Sequence, residues 1–600
     1  MGTAGLLGTA GCVQRTRALL GRSAPHQLSL TIKTLPTDAD PWSIRTARFL
    51  ADNLQAVGVE ARVVPTSRIS LLRDVLVNQS FDLYVARAPA FADADALRTL
   101  LHSRFRSEPG WQNPFGYADL STDDLLEQQR RQTGERRRET LWDLQDAVVR
   151  DQPFSVVAYP DEIHAVRSDR LRRWPDHKVD TPLGYLALDR YESEDAPIQW
   201  NGTSQPTATE TDATARERAR TLRMTTTDAR APENLNPLAV EYRSTDALVG
   251  LLYDPLGRRV DDRVRPWLAS DWTWQSGAGS GPALDVTLRD EATWHDGTSL
   301  TASDVAFTYK FLKDTSLGTF ESPLPAPLFR SQSSLVADAR AYDEKSVRVQ
   351  FVPSTREVAR RALTVPVLPE HVWQSKTERA TIAGVDSGRE VTEAVIWNNQ
   401  EPVGSGPLVF ERADRQQLLS LVRADDHFLY QSDLDDHLAP YQGGFSFDRL
   451  QFVVAPSGGA AVRMVEDGTA DGTATGVTPS SVPRIGRSDS VELHTHPSPS
   501  FYHLGFNARR SPYDNPRFRR AVAQLFDKAY LTESVFDGYA RPATSPLAHL
   551  PSLEPSLEWS GRDAELPFPG DAGDLDVEKA REAFRTAGYR YTDDGRLVLS

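Results

Sequence analysis

One run near the middle of the chain restricts the fold more than any other. Leu284, Val286 and Leu288 alternate with Asp285, Thr287 and Arg289, the pattern of a strand buried on one face. Asp296-Gly297 then supplies the residues that a tight reversal with positive φ requires. A helix start follows at once: Thr301 can cap it with Asp304 three residues on. Ala302, Val305, Ala306 and Tyr309 fall on one face, and Lys313 lays its stem over that face. Strand, reversal and capped helix make one compact α/β unit, and the rest of the chain must supply the sheet and core against which it packs.

The 600 residues exceed what a single core holds and predict two or three domains. No run approaches the roughly 18 apolar residues of a membrane span, so membrane association has to come through an anchor or a partner. A net charge of −15 argues against a general nucleic-acid binder, which needs an excess of basic side chains to neutralise phosphates. Only eight of the 68 basic residues are lysine, and an acidic, lysine-poor surface fits a salt-adapted protein as well as a GC-rich genome. The one cysteine, Cys12, excludes an intramolecular disulfide and any multi-cysteine metal site. Thr9-Ala10-Gly11-Cys12, small residues after Leu6-Leu7, resembles a lipoprotein processing box; the alternative is an unremarkable thiol in a terminal segment.

In chain order, the alternation from Leu28 to Ile32 predicts a strand. Pro41 through Gly58 predicts a helix with Ile44, Ala47, Leu50, Ala51 and Leu54 inward, and Val59 to Val63 a second strand. Phe81 to Val85 reads as another strand. Leu125 to Val149 is helical with a break at Thr133-Gly134, and its Arg136-Arg137-Arg138 run reads as a solvated face. Tyr191 to Arg220 turns to Ser, Thr, Asp, Glu and Gly and reads as a flexible linker. Asn78-Gln79-Ser80 and Asn201-Gly202-Thr203 are glycosylation acceptor triplets. Asn515 and Pro516 open a helix with Phe518, Ala521, Val522 and Leu525 on one face.

The central run, with Trp294-His295-Asp296-Gly297 and Ala302-Ser303-Asp304-Val305, resembles the signature of the peptide/nickel family of extracellular solute-binding proteins, the ligand receptors of ABC importers. Further pieces follow in that family's order: Gly404-Ser405-Gly406-Pro407, Arg423-Ala424-Asp425-Asp426-His427-Phe428, Gly468-Thr469-Ala470-Asp471, Phe506-Asn507 to Pro512, and Asp576 through Ala587-Gly588-Tyr589. Pieces that resemble the family's last third, Phe81-Asp82, Asn113-Pro114-Phe115-Gly116-Tyr117 and Asp151-Gln152-Pro153, instead lie upstream. The simplest account is a circular permutation; the rival is two fragments of tandem copies in one frame. Termini of compact domains lie close together at the surface, so the rearrangement removes few contacts.

The resemblance implies an α/β, bilobal periplasmic-binding-protein-like fold, two lobes plus an extra subdomain, hinge-linked and circularly permuted. The expected division is a signal remnant and lipoprotein tether at 1–27; a second lobe from 28–154 and 501–600; a first lobe from 155–186, 221–255 and 404–500; an extra subdomain at 256–403; and a linker at 187–220. Crossings between lobes are expected near Pro153 to Val157 and Pro497 to Leu504.

The implied function is capture of a peptide or other small polar solute by cleft closure, without catalysis or cofactor. The partners would be an ABC permease and its ATPase, and the chain a monomer held at the outer membrane face through lipidated Cys12. A nickel chelate is an alternative ligand because some members of the family it resembles carry nickel; His494 and His496 share a strand face with His503 nearby, and the competing reading of these is solvated or core-edge histidines. An enzyme is the alternative class, but no Gly-x-Ser-x-Gly elbow, His-Glu-x-x-His or phosphate loop occurs. The resemblance assigns ligand contact to Asp93, Asp95, Trp397 and Tyr502, and structural roles to Trp294, His295, Asp296, Gly297 and Asp304. Val85 to Asp93 resembles a segment whose aspartate pairs a peptide's α-ammonium, but it departs at Pro89 and Ala90, where relatives have Gly-Trp. Asp93 or Asp95 could equally cap the helix carrying Leu97, Leu100 and Leu101.

Overall fold

The computed structural model describes residues 26–171, 174, 181–188, 220–239, 247–260, 263–275, 281–381, 390–430 and 434–598. Cys12, Asn201, Ser600 and nearly all of the expected linker lie outside the described residues.

The chain opens with β1 (Ser29–Thr34), α1 (Pro41–Ala56), β2 (Glu60–Pro65) and β3 (Leu83–Arg87), a parallel unit in which β1 lies between β2 and β3. Asp40 explains where α1 begins: its carboxylate accepts the amides of Trp42 and Ser43, and Pro41 gives up a donor that the first turn cannot use. Next come α2 (Ala96–Leu101), α3 (Leu120–Gln129) and α4 (Gly134–Asp151). The expected break between the last two is present. Helix α3 starts earlier than its apolar spacing implied because Asp119 accepts the amide of Thr122.

After α4 comes β4 (Phe154–Arg167), fourteen residues long, and then β5 (Thr221–Thr226). The hairpin β6 (Gly257–Val260) and β7 (Arg263–Pro266) leads to a four-stranded sheet of β8 (Ala269–Gln275), β9 (Ala283–Leu288), β10 (Val336–Ala341) and β11 (Ser346–Phe351) in the order β10-β11-β9-β8, against which α5 (Ala302–Lys313) packs. The strand, reversal and capped helix read from the sequence are all here. Gly297 has φ +84° at the reversal, where a side chain would be strained. The Asp304 carboxylate accepts both the amide (2.8 Å) and the hydroxyl (2.9 Å) of Thr301. Helix α5 is more buried than a one-faced helix, with Phe307, Phe311 and Leu312 also in the core.

The large sheet is completed by β12 (Leu408–Asp414), β13 (Leu418–Arg423), β14 (Arg449–Val454), β15 (Gly472–Thr473), β16 (Val491–Pro497), β17 (Tyr502–Phe506) and β18 (Ala540–Pro542), and short two-residue strands lie outside it, the last of them Leu597–Val598. The large sheet runs β12-β13-β14-β5-β15-β4-β17-β3-β1-β2, with β16 and β18 also paired to β4. Strand β4 therefore belongs to both halves. Its first part, Phe154 to Pro160, pairs with β17 and β18; its second part, Asp161 to Arg167, pairs with β15 and β16.

The cores follow the same division. One apolar core joins Leu222, Met224 and Leu450 to Trp267, Trp294, Phe311 and Trp373, so the four-stranded sheet shares its interior with that end of the large sheet. Two others, on opposite faces of the second half-sheet, combine residues 28–159 with 501–597. Among the described residues the chain passes between the lobes twice, at Tyr159 to Glu162 and at Ser498 to Phe501. The first crossing falls beyond the expected Pro153 to Val157, because β4 stays paired with β17 and β18 through Pro160. The Leu28 amide donates to the Leu597 carbonyl at 2.8 Å, and the Leu597 amide donates to the Gly58 carbonyl at 2.9 Å, so the start of β1 and the last described strand share one core.

Candidate ligand-binding site

The two crossing segments run side by side, and a cavity of about 390 Å³, lined by residues of both lobes, reaches the second of them at Phe501. The second lobe contributes Ala88 to Ala92, which continue from β3, together with Leu100, Trp111, Phe154, Phe501 and His503. The first lobe contributes Pro255, Gly257, Arg258 and Arg259 at β6 and the Leu328 to Gln332 segment, with Arg361.

Strand alternation decides which side chains reach this space. Tyr502, Leu504 and Phe506 point into one core, while Phe501 and His503 point to the opposite face and line the cavity. Tyr502, expected as a ligand contact, is thus a core residue: it is buried, its hydroxyl donates to Asp40 at 3.0 Å, and its ring meets Trp42 edge-on. The cavity-facing aromatic is its neighbour Phe501, because a one-residue step on a strand exchanges faces. His503 binds the Tyr84 hydroxyl at 2.9 Å. Burial pushes its imidazole down to about 3, so it is neutral at physiological pH.

Asp93 and Asp95 also differ from expectation. Asp93 accepts the Asp95 amide at 2.8 Å and Arg137 Nη2 at 2.9 Å, and the wall that continues from β3 stops at Ala92. Its charge partner is therefore an arginine of its own lobe. For the same reason Arg137 is not part of a solvated face. Asp95 sits at the start of α2 without a side-chain cap bond. It is 1% exposed and accepts from Gln129 Nε2 (2.7 Å), Arg130 Nε (2.8 Å) and Nη2 (3.1 Å), and Arg361 Nη1 (2.5 Å). Burial opposes its ionisation, but Arg130 and Arg361 hold its carboxyl below the ordinary range. Trp397, half-buried against the first-lobe core, packs edge-on to Trp373 at 5.4 Å and carries Lys376 Nζ 4.5 Å from its ring centre. It does not line the cavity.

The wall has one electrostatic sign. Arg258, Arg259, Arg330 and Arg361 line it, and among its described lining residues there is no Asp or Glu. Carboxylates behind the wall hold three of these cations: Asp254 for Arg258 at 3.0 Å, Glu108 for Arg330 at 2.9 Å and Asp95 for Arg361. Buried polar atoms without a protein partner occur along the same wall: Trp111 Nε1, Gln112 Oε1, Arg258 Nε and Gln332 Oε1. These residues therefore offer an apolar body, donors and acceptors for amide groups, and guanidinium groups. Among the described lining residues they offer no anionic partner for an ammonium.

The family-signature residues are structural. His295 Nε2 meets the Gly406 carbonyl at 2.9 Å and His295 N donates to the Gly404 carbonyl at 2.8 Å, fixing that loop. Asp296 holds the Thr298 amide and His371, and Trp294 is buried. The loop so fixed helps position Asp254, whose amide donates to Ser405 Oγ at 3.1 Å. The three histidines considered for nickel do not converge: His496 stacks on His164 at 5.4 Å, His494 lies beside Trp174, and His503 is on the cavity wall. Among the described residues no group of three or more His, Cys, Asp or Glu could hold a metal ion. No described helix is long and apolar enough to cross a membrane.

Residues 263–599 match the family described as bacterial extracellular solute-binding proteins, family 5 Middle. The oligopeptide-binding protein AppA of Bacillus subtilis (strain 168) is 23% identical over 323 residues, covering 53% of this chain and 51% of that protein. Heme-binding protein A of Haemophilus influenzae is 24% identical over 381 residues, covering 60% and 61%. The chain thus spans about half to three-fifths of the length of these relatives. Among solved structures, AppA from Bacillus subtilis in complex with a nonapeptide matches with a TM-score of 0.41 at 19% identity, covering 62% of this chain and 65% of that one. NikZ from Campylobacter jejuni in complex with Ni(L-His) matches with a TM-score of 0.41 at 16% identity, covering 63% and 65%.

Proposed function

Because the chain belongs to the family 5 bacterial extracellular solute-binding proteins, we propose that it captures a small peptide-like solute in the cavity between its lobes and delivers it to an ABC permease. The observation that carries this reading is a cavity whose walls are drawn from both lobes and which Phe501, at the end of the second crossing segment, lines. A hinge motion at Tyr159 to Glu162 and Ser498 to Phe501 opens and closes such a space. Relatives named for oligopeptide and glutathione binding support a peptide-type ligand.

The wall narrows the ligand. With Asp93 committed to Arg137 and no carboxylate among the described lining residues, an α-ammonium finds no charge partner here. The favoured solute has an apolar body, amide groups and an anionic or neutral end. N-acetylated and free-amine forms of one apolar peptide are expected to bind equally, read by calorimetry, and Asp93→Asn should change neither. A tenfold or greater preference for the free amine that Asp93→Asn abolishes would instead make Asp93 the anchor. The arginine-lined wall also suits an anionic metal chelate, and calorimetry with Ni²⁺ and citrate together, whose complex is anionic, separates this from a peptide.

The inverted order of segments is read as a circular permutation, supported by the shared core of Leu28 and Leu597 and by the single large sheet to which both parts contribute. Attachment to the outer membrane face is proposed through lipidated Cys12; Cys12→Ser, expressed with a complete signal, should move the protein from the membrane fraction to the medium, and unchanged fractionation would refute the anchor.

A further inference from the structure

Two arginines of the cavity wall reach across the cleft to the other lobe. Arg361 donates Nη1 to Asp95 Oδ2 at 2.5 Å while its Nη2 holds Ser331 Oγ at 2.8 Å, within its own lobe. Arg330 donates Nε at 2.9 Å and Nη2 at 3.0 Å to the two oxygens of Glu108, a bidentate pair. A third bond joins the lobes nearby, from the Thr355 amide to the Arg130 carbonyl at 2.7 Å. Arg330 and Arg361 line the cavity, whereas Asp95 and Glu108 stand behind it.

We propose that Asp95–Arg361 and Glu108–Arg330 form an interlobe clasp that is made on closure and sets how long the cleft stays shut. The partners are arranged for a reversible contact. With the cleft open, Asp95 keeps Arg130 and Gln129 from its own lobe, so opening does not strand a buried carboxylate without a cation. Arg361 keeps Ser331 and gains water. Glu108 and Arg330 are the more exposed pair, with side chains 15% and 18% accessible, so salt reaches them first. Both clasp cations are also cavity wall, so a ligand touching Arg330 or Arg361 orients the groups that close over it, and occupancy and closure become one event.

This inference rests on the reading of the crossing segments as a hinge, and the test separates the two. Spin labels at Asp124→Cys in the second lobe and Gln374→Cys in the first, both exposed, in a Cys12→Ser background, report the interlobe distance by pulsed dipolar spectroscopy without any ligand. Wild type is expected to show a short and a long distance, with the long one gaining as NaCl rises from roughly 0.05 to 1 M, a range over which the screening length shortens severalfold. Glu108→Gln and Arg361→Gln are each expected to raise the long-to-short ratio by about tenfold, the scale of losing a charge-assisted bond, and together to remove most of the salt response. Asp93→Asn, which breaks an ion pair inside one lobe, should leave the ratio unchanged. Two distances in wild type with Glu108→Gln and Arg361→Gln indistinguishable from it would overturn the clasp and keep the hinge. One distance under all conditions would overturn both. Should Arg361→Gln fail to fold, Glu108→Gln and the wild-type salt series decide alone.

Discussion

Asp254 offers the sharpest quantitative check on how the cavity wall is held. It is fully buried, and its Oδ1 accepts Trp267 Nε1 at 2.6 Å and Arg258 Nη2 at 3.0 Å while Oδ2 meets His427 Nε2 at 2.9 Å. Burial works against its ionisation, yet His427, Arg258 and Trp267 hold its carboxyl below the ordinary range. Asp254→Asn keeps the shape and removes the charge, leaving a buried Arg258 guanidinium, itself stacked 4.6 Å from the Trp267 ring centre, without its anion. Removing one member of a buried ion pair costs about 3 to 5 kcal/mol, and the amide oxygen recovers part by still accepting one bond, so about 3 kcal/mol is expected. Hydrogen exchange followed by mass spectrometry on peptides spanning residues 248–268 reads this locally. Amides that exchange only through opening of this region should exchange roughly a hundredfold faster. Asp254→Asn with Arg258→Met, which removes the orphaned cation, should recover much of the protection. If Asp254→Asn exchanges within about threefold of wild type, less than roughly 1 kcal/mol, the ion pair does not hold the wall.

Two further outcomes follow from the same geometry. Burial lowers His503 to about 3 and His164 to about 4, below the roughly 6.5 of an unfolded histidine. Between these values the unfolded chain binds protons that the folded chain does not. Stability is therefore full above about pH 6.5 and falls as pH drops toward 4. Thermal melts from about pH 7.5 to 4.5, which bracket the unfolded value, should show a shallower decline for His503→Gln and His164→Gln than for wild type; identical slopes would contradict the buried neutral state. A reordered chain that starts at Thr221, ends at Leu186 and joins Val598 to Gln27 by a short linker should fold with the far-ultraviolet spectrum and melting temperature of the original. Failure to fold would oppose the permutation.

Local signals carry much of the fold. The alternation around Leu284 to Leu288, the Asp296-Gly297 reversal and the Thr301/Asp304 cap each depend on neighbours within a few residues, and all three occur as the sequence implies. The site is less legible because its decisive contacts are distant in sequence. Asp95 can be read as a cap or an anchor, but Arg361, 266 residues away, takes it as an ion-pair partner. For Tyr502 the sequence indicates the correct strand and the wrong face: apolar and aromatic side chains occupy both sides of a doubly buried strand, so alternation gives no cue to choose Phe501 and His503. Arg330 carries no signal among many arginines. Its pairing with Glu108 is visible only once the lobes are brought together.

If a small solute is held between the lobes, mass spectrometry of the gently purified protein should detect it. Wild type should carry a bound small molecule that survives gel filtration and is released on unfolding. Ala96→Trp, which places an indole in the cavity from α2, should retain the melting behaviour of ligand-free wild type and purify without that molecule. The account is contradicted if Ala96→Trp, correctly folded, retains the same solute in the same proportion as wild type.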